Sequence, residues 1–286
     1  MKKLILTILI MLTGLSLLAA DKVLTSGGKP VVIDGKTVVV SDAWTPADGT
    51  TFAWWTSTDT STITESVGFV SGWSDKLGNQ ADLKQILGAY QPTYGATNLN
   101  GYAVISFDGI DDKLTNTTSF PTDSDFMVVV TVRVATNAVS SGDGIISTDD
   151  GVAPSFKMVG GLAPNFFAKL EGSTNANVTG NLDYRGSWKM FGIRYNRTGG
   201  KWARWVDGEL SNEAVCGGTQ LTLKTLILGS SLLTIREVKC DIADVVFTDG
   251  TDTNEFNKIF GYEAWTYGIQ GNLPVGHPYK STRPLK

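Results

Sequence analysis

The sequence predicts an all-β fold, a sandwich or jelly roll, with one C-terminal helix and an extended tail. Three observations carry this. From residue 51 onward, short β-branched and aromatic runs alternate with clusters of Gly, Asn, Asp, Ser and Thr, with almost no helical periodicity. One stretch, Glu255–Trp265, has apolar residues at helical spacing, with Phe256, Ile259 and Phe260 at i, i+3 and i+4. Beyond it, Gly268, Gly271, Pro274, Gly276, Pro278 and Pro284 deny the chain regular structure.

In chain order, residues 1–20 read as an export signal. Lys2 and Lys3 precede an apolar run from Leu4 to Leu18, and Ala19-Ala20 precede the polar Asp21-Lys22. The alternative is a retained membrane anchor, for which the run is short. Residues 21–50 form a small appended unit. Pro30–Ile33, Asp34-Gly35 and Lys36–Val40 make a hairpin signal, since Asp-Gly adopts the positive φ of a two-residue turn, and Ser41–Thr50 is a turn-rich joint. Residues 51–273 hold the sandwich. Its candidate strands are Ala103–Phe107, Phe126–Val134, Ser155–Val159, Phe166–Leu170, Trp188–Tyr195, Lys201–Val206, Leu221–Leu228 and Asp241–Phe247. Thr253 or Asn254 is placed to cap the helix, whose apolar face covers part of the sandwich. Residues 274–286 are the extended tail.

Composition narrows the function. The 286 residues are 42% hydrophobic and 10% aromatic, ample for one sizeable core. The net charge is −4 with scattered basic residues, which argues against a nucleic-acid surface. The single histidine, His277, excludes His-rich zinc sites and makes a histidine-dependent nucleophilic enzyme improbable. Export would put Cys216 and Cys240 where a disulfide persists, and two unrelated buried thiols are the alternative.

A family resemblance adds to this reading. Trp54 with Ser57–Thr64, Val70–Asn79, Gln91–Tyr94, Leu99–Gly101 and Phe107–Asp112 resemble the laminin G-like branch of the concanavalin A-like lectin/glucanase superfamily. Trp188–Tyr195, Trp202–Gly208, Asp241–Phe247, Gly261–Trp265 and Gly271–Lys280 are similar to its bacterial secreted and phage-associated members. The resemblance implies a two-sheet antiparallel jelly roll and does not by itself assign a function. Thr56 stands where relatives commonly have Asp, and Leu77 where they have Ser.

The superfamily's glucanases carry a Glu-x-Asp-x-x-Glu strand whose acids face one cleft. No glutamate here is followed two positions on by Asp. The nearest imitation is Asp241-Ile242-Ala243-Asp244, whose three-residue spacing is expected to send the carboxylates to opposite faces. A catalytic role is therefore not expected. Calcium is the plausible cofactor, at Asp108, Asp111 and Asp112, with solvated turn acids as the alternative.

Sugar recognition pairs aromatic faces with planar polar groups. On Lys201–Val206, alternation places Trp202, Arg204 and Val206 on one face and Lys201, Ala203 and Trp205 on the other. An exposed Trp205 beside Lys201, or Trp202 beside Arg204, would make a platform, with ordinary packing the competing reading. The function expected is a secreted, periplasmic or cell-surface binding module for a polysaccharide or cell-surface glycan. The runner-up is a structural or interaction protein of an envelope or virion surface, contacting other proteins; a glycoside hydrolase ranks third.

Overall fold

The computed structural model describes residues 42–116, 124–137, 144–148, 155–158, 184–217, 221, 225–231 and 236–286 with their side chains. Short strands between 22 and 40, and those covering 143, 159–160, 166–171 and 176–178, are described by backbone alone. The leader and the turn at 34–35 lie outside the described residues. Among the described residues no helix is long and apolar enough to cross a membrane.

The chain divides into two compact units, residues 1–43 with 285–286, and residues 44–284. In the first, β1 (Lys22–Val23) pairs with β6 (Val39–Val40), β2 (Thr25–Ser26) with β3 (Lys29–Pro30), and β4 (Val32–Ile33) with β5 (Lys36–Thr37).

The second unit is an antiparallel sandwich. One sheet runs β11 (Thr93–Leu99), β12 (Tyr102–Asp108), β23 (Lys239–Asp249), β14 (Phe126–Val134), β19 (Trp188–Asn196), β20 (Lys201–Val206) and β21 (Glu209–Val215). Strand β7 (Thr51–Thr56) continues the line of β12 along the second half of β23. The other sheet runs β8 (Ile63–Ser66), β9 (Phe69–Trp73), β10 (Leu83–Lys84), β13 (Leu114–Thr115), β22 (Ile227–Leu228), β15 (Asp143–Ser147), β16 (Ser155–Gly160), β17 (Phe166–Glu171) and β18 (Ala176–Val178). At Phe69, β9 also pairs with Thr93 of β11 and joins the two sheets at one edge.

Alternate residues of the first sheet point inward to the main core, where Val128, Val130, Val132, Ile193, Trp202 and Val245 meet Trp73, Ile146, Phe156 and Leu228. The intervening residues Met127, Val129, Met190, Ala203, Trp205 and Val246 form a second apolar cluster on the outer face. Helix α1 (Thr253–Thr266) covers it with Phe256, Ile259, Phe260 and Ala264. This is why Phe126–Val130 reads as an unbroken apolar run: both faces of that part of the strand are buried. Gly192 is required there, because a Cβ would stand 2.7 Å from the ring tips of both Phe256 and Phe260.

The helix cap differs from expectation. Asp252, one residue before the predicted cap, accepts a hydrogen bond from the Asn254 amide, so the helix starts at Thr253. The tail folds back along the helix: Trp265 Nε1 donates to the Tyr279 carbonyl at 2.9 Å, and Leu273 is buried in the outer cluster. Gly261 admits this tail, since a Cβ there would lie 2.6 Å from that of Tyr279. Strand Leu221–Leu228 shrinks to Ile227–Leu228 among the described residues.

The disulfide expectation is corrected, because Cys216 and Cys240 are both buried thiols with no bridge between them. Register explains it. Val215 pairs with Lys201, Lys201 with Asn196, and the neighbouring Tyr195 lies level through Phe126 with Asp249 of β23. Cys240 lies nine positions farther along β23, about 30 Å at strand rise, whereas a disulfide needs Cα atoms within about 7 Å.

Candidate functional site

Helix α1 leaves part of the outer face of the first sheet open. There, strand register lines up six residues. Phe69 pairs with Thr93, Thr93 with Ser106, Ser106 with Asp241, Asp241 with Arg133, and Arg133 with Trp188. Directly paired residues share a face, so the row crosses β9, β11, β12, β23, β14 and β19 in five steps, about 24 Å in all. Its neighbours confirm the face: Val70, Ile105, Val132 and Ile242 belong to the main core.

The row is polar in the middle and aromatic at both ends. Arg133 donates from Nε at 2.9 Å and from Nη2 at 2.7 Å to Asp241 Oδ2, and its Nη2 also reaches Thr97 Oγ1 at 3.2 Å. Ser106 Oγ donates to Asp241 Oδ1 at 2.6 Å. The Arg133 guanidinium lies 5.5 Å from the centre of the Trp188 ring, a cation–π contact. Phe69 is 46% exposed. Five of the six residues line a cleft of about 580 Å³, which Gln91, Asp108, Asp112 and Lys239 also border. The arrangement offers oriented donors and acceptors on a rigid sheet, suited to hydroxyl groups.

Asp108, Asp111 and Asp112 come together beside this cleft, their nearest oxygens within 4.8 Å of one another. Much of their hydrogen bonding serves the loop itself. Asp112 Oδ2 accepts from the Asp108 amide at 2.9 Å, and Asp108 Oδ1 accepts from the Ile110 amide at 2.8 Å. Burial, aided by the charges of Asp108 and Asp111, pushes Asp112 up to about 7. The donors are hard oxygens of the kind calcium takes, and the turn amides compete for them.

The expected opposition of Asp241 and Asp244 is overturned by a β-bulge. Arg133 pairs with Asp241, Val132 with Ile242 and Thr131 with Asp244, so Ala243 is an extra residue. That extra residue returns Asp244 to the outer face. The two acids still share no opening, because Asp244 is sealed under the helix. Its Oδ1 accepts from Trp54 Nε1 at 2.8 Å and its Oδ2 from the Tyr267 hydroxyl at 3.1 Å. Glu263 of α1 is equally buried beside it, and Thr131 Oγ1 donates to Glu263 Oε2 at 2.7 Å. Burial, reinforced by the facing Asp244 carboxyl, raises Glu263 well above the ordinary range, and burial raises Asp244 as well. Two acids so placed hold a proton between them.

The residues predicted for a sugar platform alternate as expected but are covered. Trp202 belongs to the main core, and Arg204 is fully buried beside it, donating to Ser211 Oγ. Trp205 is packed under the helix, edge-on to Phe256 and stacked on Phe260. Lys201 is exposed and paired with Glu213 at 2.7 Å. The structure thus brings neither tryptophan to the surface. The row was not found from the sequence; the one available signal was the strand pairing of Ala103–Phe107 and Asp241–Phe247 with Phe126–Val134, which juxtaposes Ser106, Asp241 and Arg133. His277, buried in the tail, accepts from the Tyr279 amide through Nδ1, and burial pushes its imidazole down to about 4.

No family model matches the chain, and no curated protein matches it in sequence. Among solved structures it is similar to the binding domain of Paraclostridial Mosquitocidal Protein 1, at TM-score 0.57 and 9% identity over 76% of this chain and 53% of that one. It is also similar to domain 4 of AbnA, a GH43 extracellular arabinanase from Geobacillus stearothermophilus, solved in complex with arabinotriose. That likeness has a TM-score of 0.55 at 11% identity and covers 72% of this chain and 95% of that domain. A third is the receptor binding domain of botulinum neurotoxin C/D mosaic serotype, at TM-score 0.51 and 13% identity over 74% and 51%. The chain spans about half the length of the toxin domains it resembles. At such identities the likeness is one of fold, a β-sandwich shared with binding domains.

Proposed function

We propose that the protein is an exported, non-catalytic glycan-binding module of the laminin G-like branch, and that the row from Phe69 to Trp188 is its binding surface. The observation that carries the reading is the row itself: an open cleft whose floor presents Ser106, Asp241, Arg133 and Thr97 already oriented by one another. Preorganised polar groups with an aromatic flank are what carbohydrate recognition requires. The fold shared with an arabinotriose-bound domain supports the same reading. A calcium ion at Asp108, Asp111 and Asp112 belongs to the proposal, as a charge that would orient the cleft's edge.

Glycan-array screening of the full chain tests it, with Asp241→Asn as the site control. Binding that is lost in Asp241→Asn is the expected result. Binding to no glycan, or binding indifferent to that substitution, refutes the reading. One observation favours protein contact instead: Ile86 is 87% and Ile110 is 74% exposed, and the Lys113 amide ties their two loops together through the Tyr90 carbonyl. The array separates these readings, since a protein-contact module leaves it blank.

A further inference from the structure

Resting on the glycan-binding reading, we infer that the site takes a neutral, hydroxyl-rich, linear oligosaccharide laid across the strands, and that it excludes acidic sugars. Length and direction follow from register. Side chains recur at inter-strand spacing from Phe69 to Trp188, so a chain-like ligand meets one row residue after another, whereas a single sugar covers a fraction of the line.

Charge sets the class. An acidic sugar needs a cation free to receive its carboxylate, and Arg133 already directs both Nε and Nη2 to Asp241. Turning that fork outward would leave a half-buried Asp241 carboxylate without its cation, a costly exchange. The other charged groups lining the cleft are Lys239, Asp108 and Asp112, which with Arg133 and Asp241 makes three carboxyl groups to two cations. This balance is that of the site without the proposed calcium ion, which would cancel the excess. Neutral hydroxyls meet no such penalty, because each can accept from Thr97 or Arg133 and donate to Ser106, Asp241 or Asp108.

Phe69 supplies the stacking face. Trp188 already faces the Arg133 guanidinium, whereas Phe69 stands at the free end of the row, half-exposed. An apolar sugar face laid on Phe69 would place the rest of the chain along the polar groups.

Titration calorimetry of the full chain with arabino-, xylo- and cello-oligosaccharides of increasing length, beside oligogalacturonates of matched length and sialyllactose, tests this. The expected result is one neutral series whose affinity rises with length, no binding of its acidic counterparts, and a loss of about tenfold for the longer members in Phe69→Ala. Phe69→Tyr should restore affinity, which a merely structural role for the ring would not predict. An acidic ligand bound more tightly than every neutral one, with its affinity lost in Lys239→Ala, overturns the ligand class and leaves glycan binding standing. Affinity that does not change with length, or with Phe69→Ala, overturns the assignment of the row. Binding of none of these probes overturns both readings.

Discussion

Replacing Glu263 by Gln should flatten the pH dependence of stability. In the folded protein Glu263 and Asp244 face each other in a dry site closed by Trp54, Thr131 and Tyr267, and burial raises both carboxyls. Each ionises near the ordinary carboxyl value once unfolded. The folded state therefore binds more protons than the unfolded one above that value. Stability from the pair is fully present below about pH 4 and is lost as pH rises toward the folded-state values. The slope approaches about 1.4 kcal/mol per pH unit for each proton retained. For a domain of this size that is a fall in melting temperature of about 3–6 °C per pH unit.

Gln keeps the shape, accepts from Thr131 and donates to Asp244, with no proton to lose. Asp59 and Glu213, held below the ordinary range by Ser61 and Lys201 respectively, lose their contribution only on acidification and do not mask the effect. Asp112, raised to about 7, acts in the same direction in both proteins and cancels in the difference. Calorimetric melting from about pH 5 to 8 should show the variant gaining on the parent steadily. A difference that stays flat across that range refutes the shared proton.

Three further outcomes follow from the geometry. Trp205→Ala should cost about 3–5 kcal/mol by emptying the space against Phe256 and Phe260, while any glycan affinity of the folded protein at low temperature stays unchanged. Alkylation under denaturing conditions without reductant should label both Cys216 and Cys240, as mass analysis will show; a mass that shifts only after reduction contradicts the register. Millimolar calcium should raise the melting temperature, and more above pH about 7 than below it, because Asp112 must ionise to serve as a ligand. An identical melt in calcium and in chelator removes the ion from the proposal.

The fold was legible where strand-forming residues dominate and no turn residue interrupts them. Phe126–Val134 and Lys201–Val206 match the predicted strands to the residue. Strands Thr51–Thr56 and Phe69–Trp73 went unread because threonine, tryptophan and a glycine blur their period, and their pairing with distant partners fixes them. Alternation gave the two faces of Lys201–Val206 correctly but not what lies over each, so Trp205 could be taken for a surface ring although α1 buries it. The bulge at Ala243 has no signature in Asp241–Asp244; one unpaired residue reverses the face of everything after it. The row is assembled from residues that are ordinary one by one, and only the order of the strands puts them in line.

The bulge carries a further consequence for how such a surface can diverge. On β12, β14 and β23 the residues facing inward hold the sandwich, while those facing outward either anchor the helix or line the open cleft proposed as the binding site. Ala243 marks where the outward residues of β23 change duty, from an open floor at Asp241 to helix anchoring at Asp244. If the cleft is the glycan site proposed above, exchanging Thr93, Ser106 or Thr97 for other small polar residues would change its specificity without touching a core contact or the helix latch. On that proposal recognition and folding are interleaved along the same strands yet separable residue by residue, so new specificities would be reachable by single steps that leave the architecture intact.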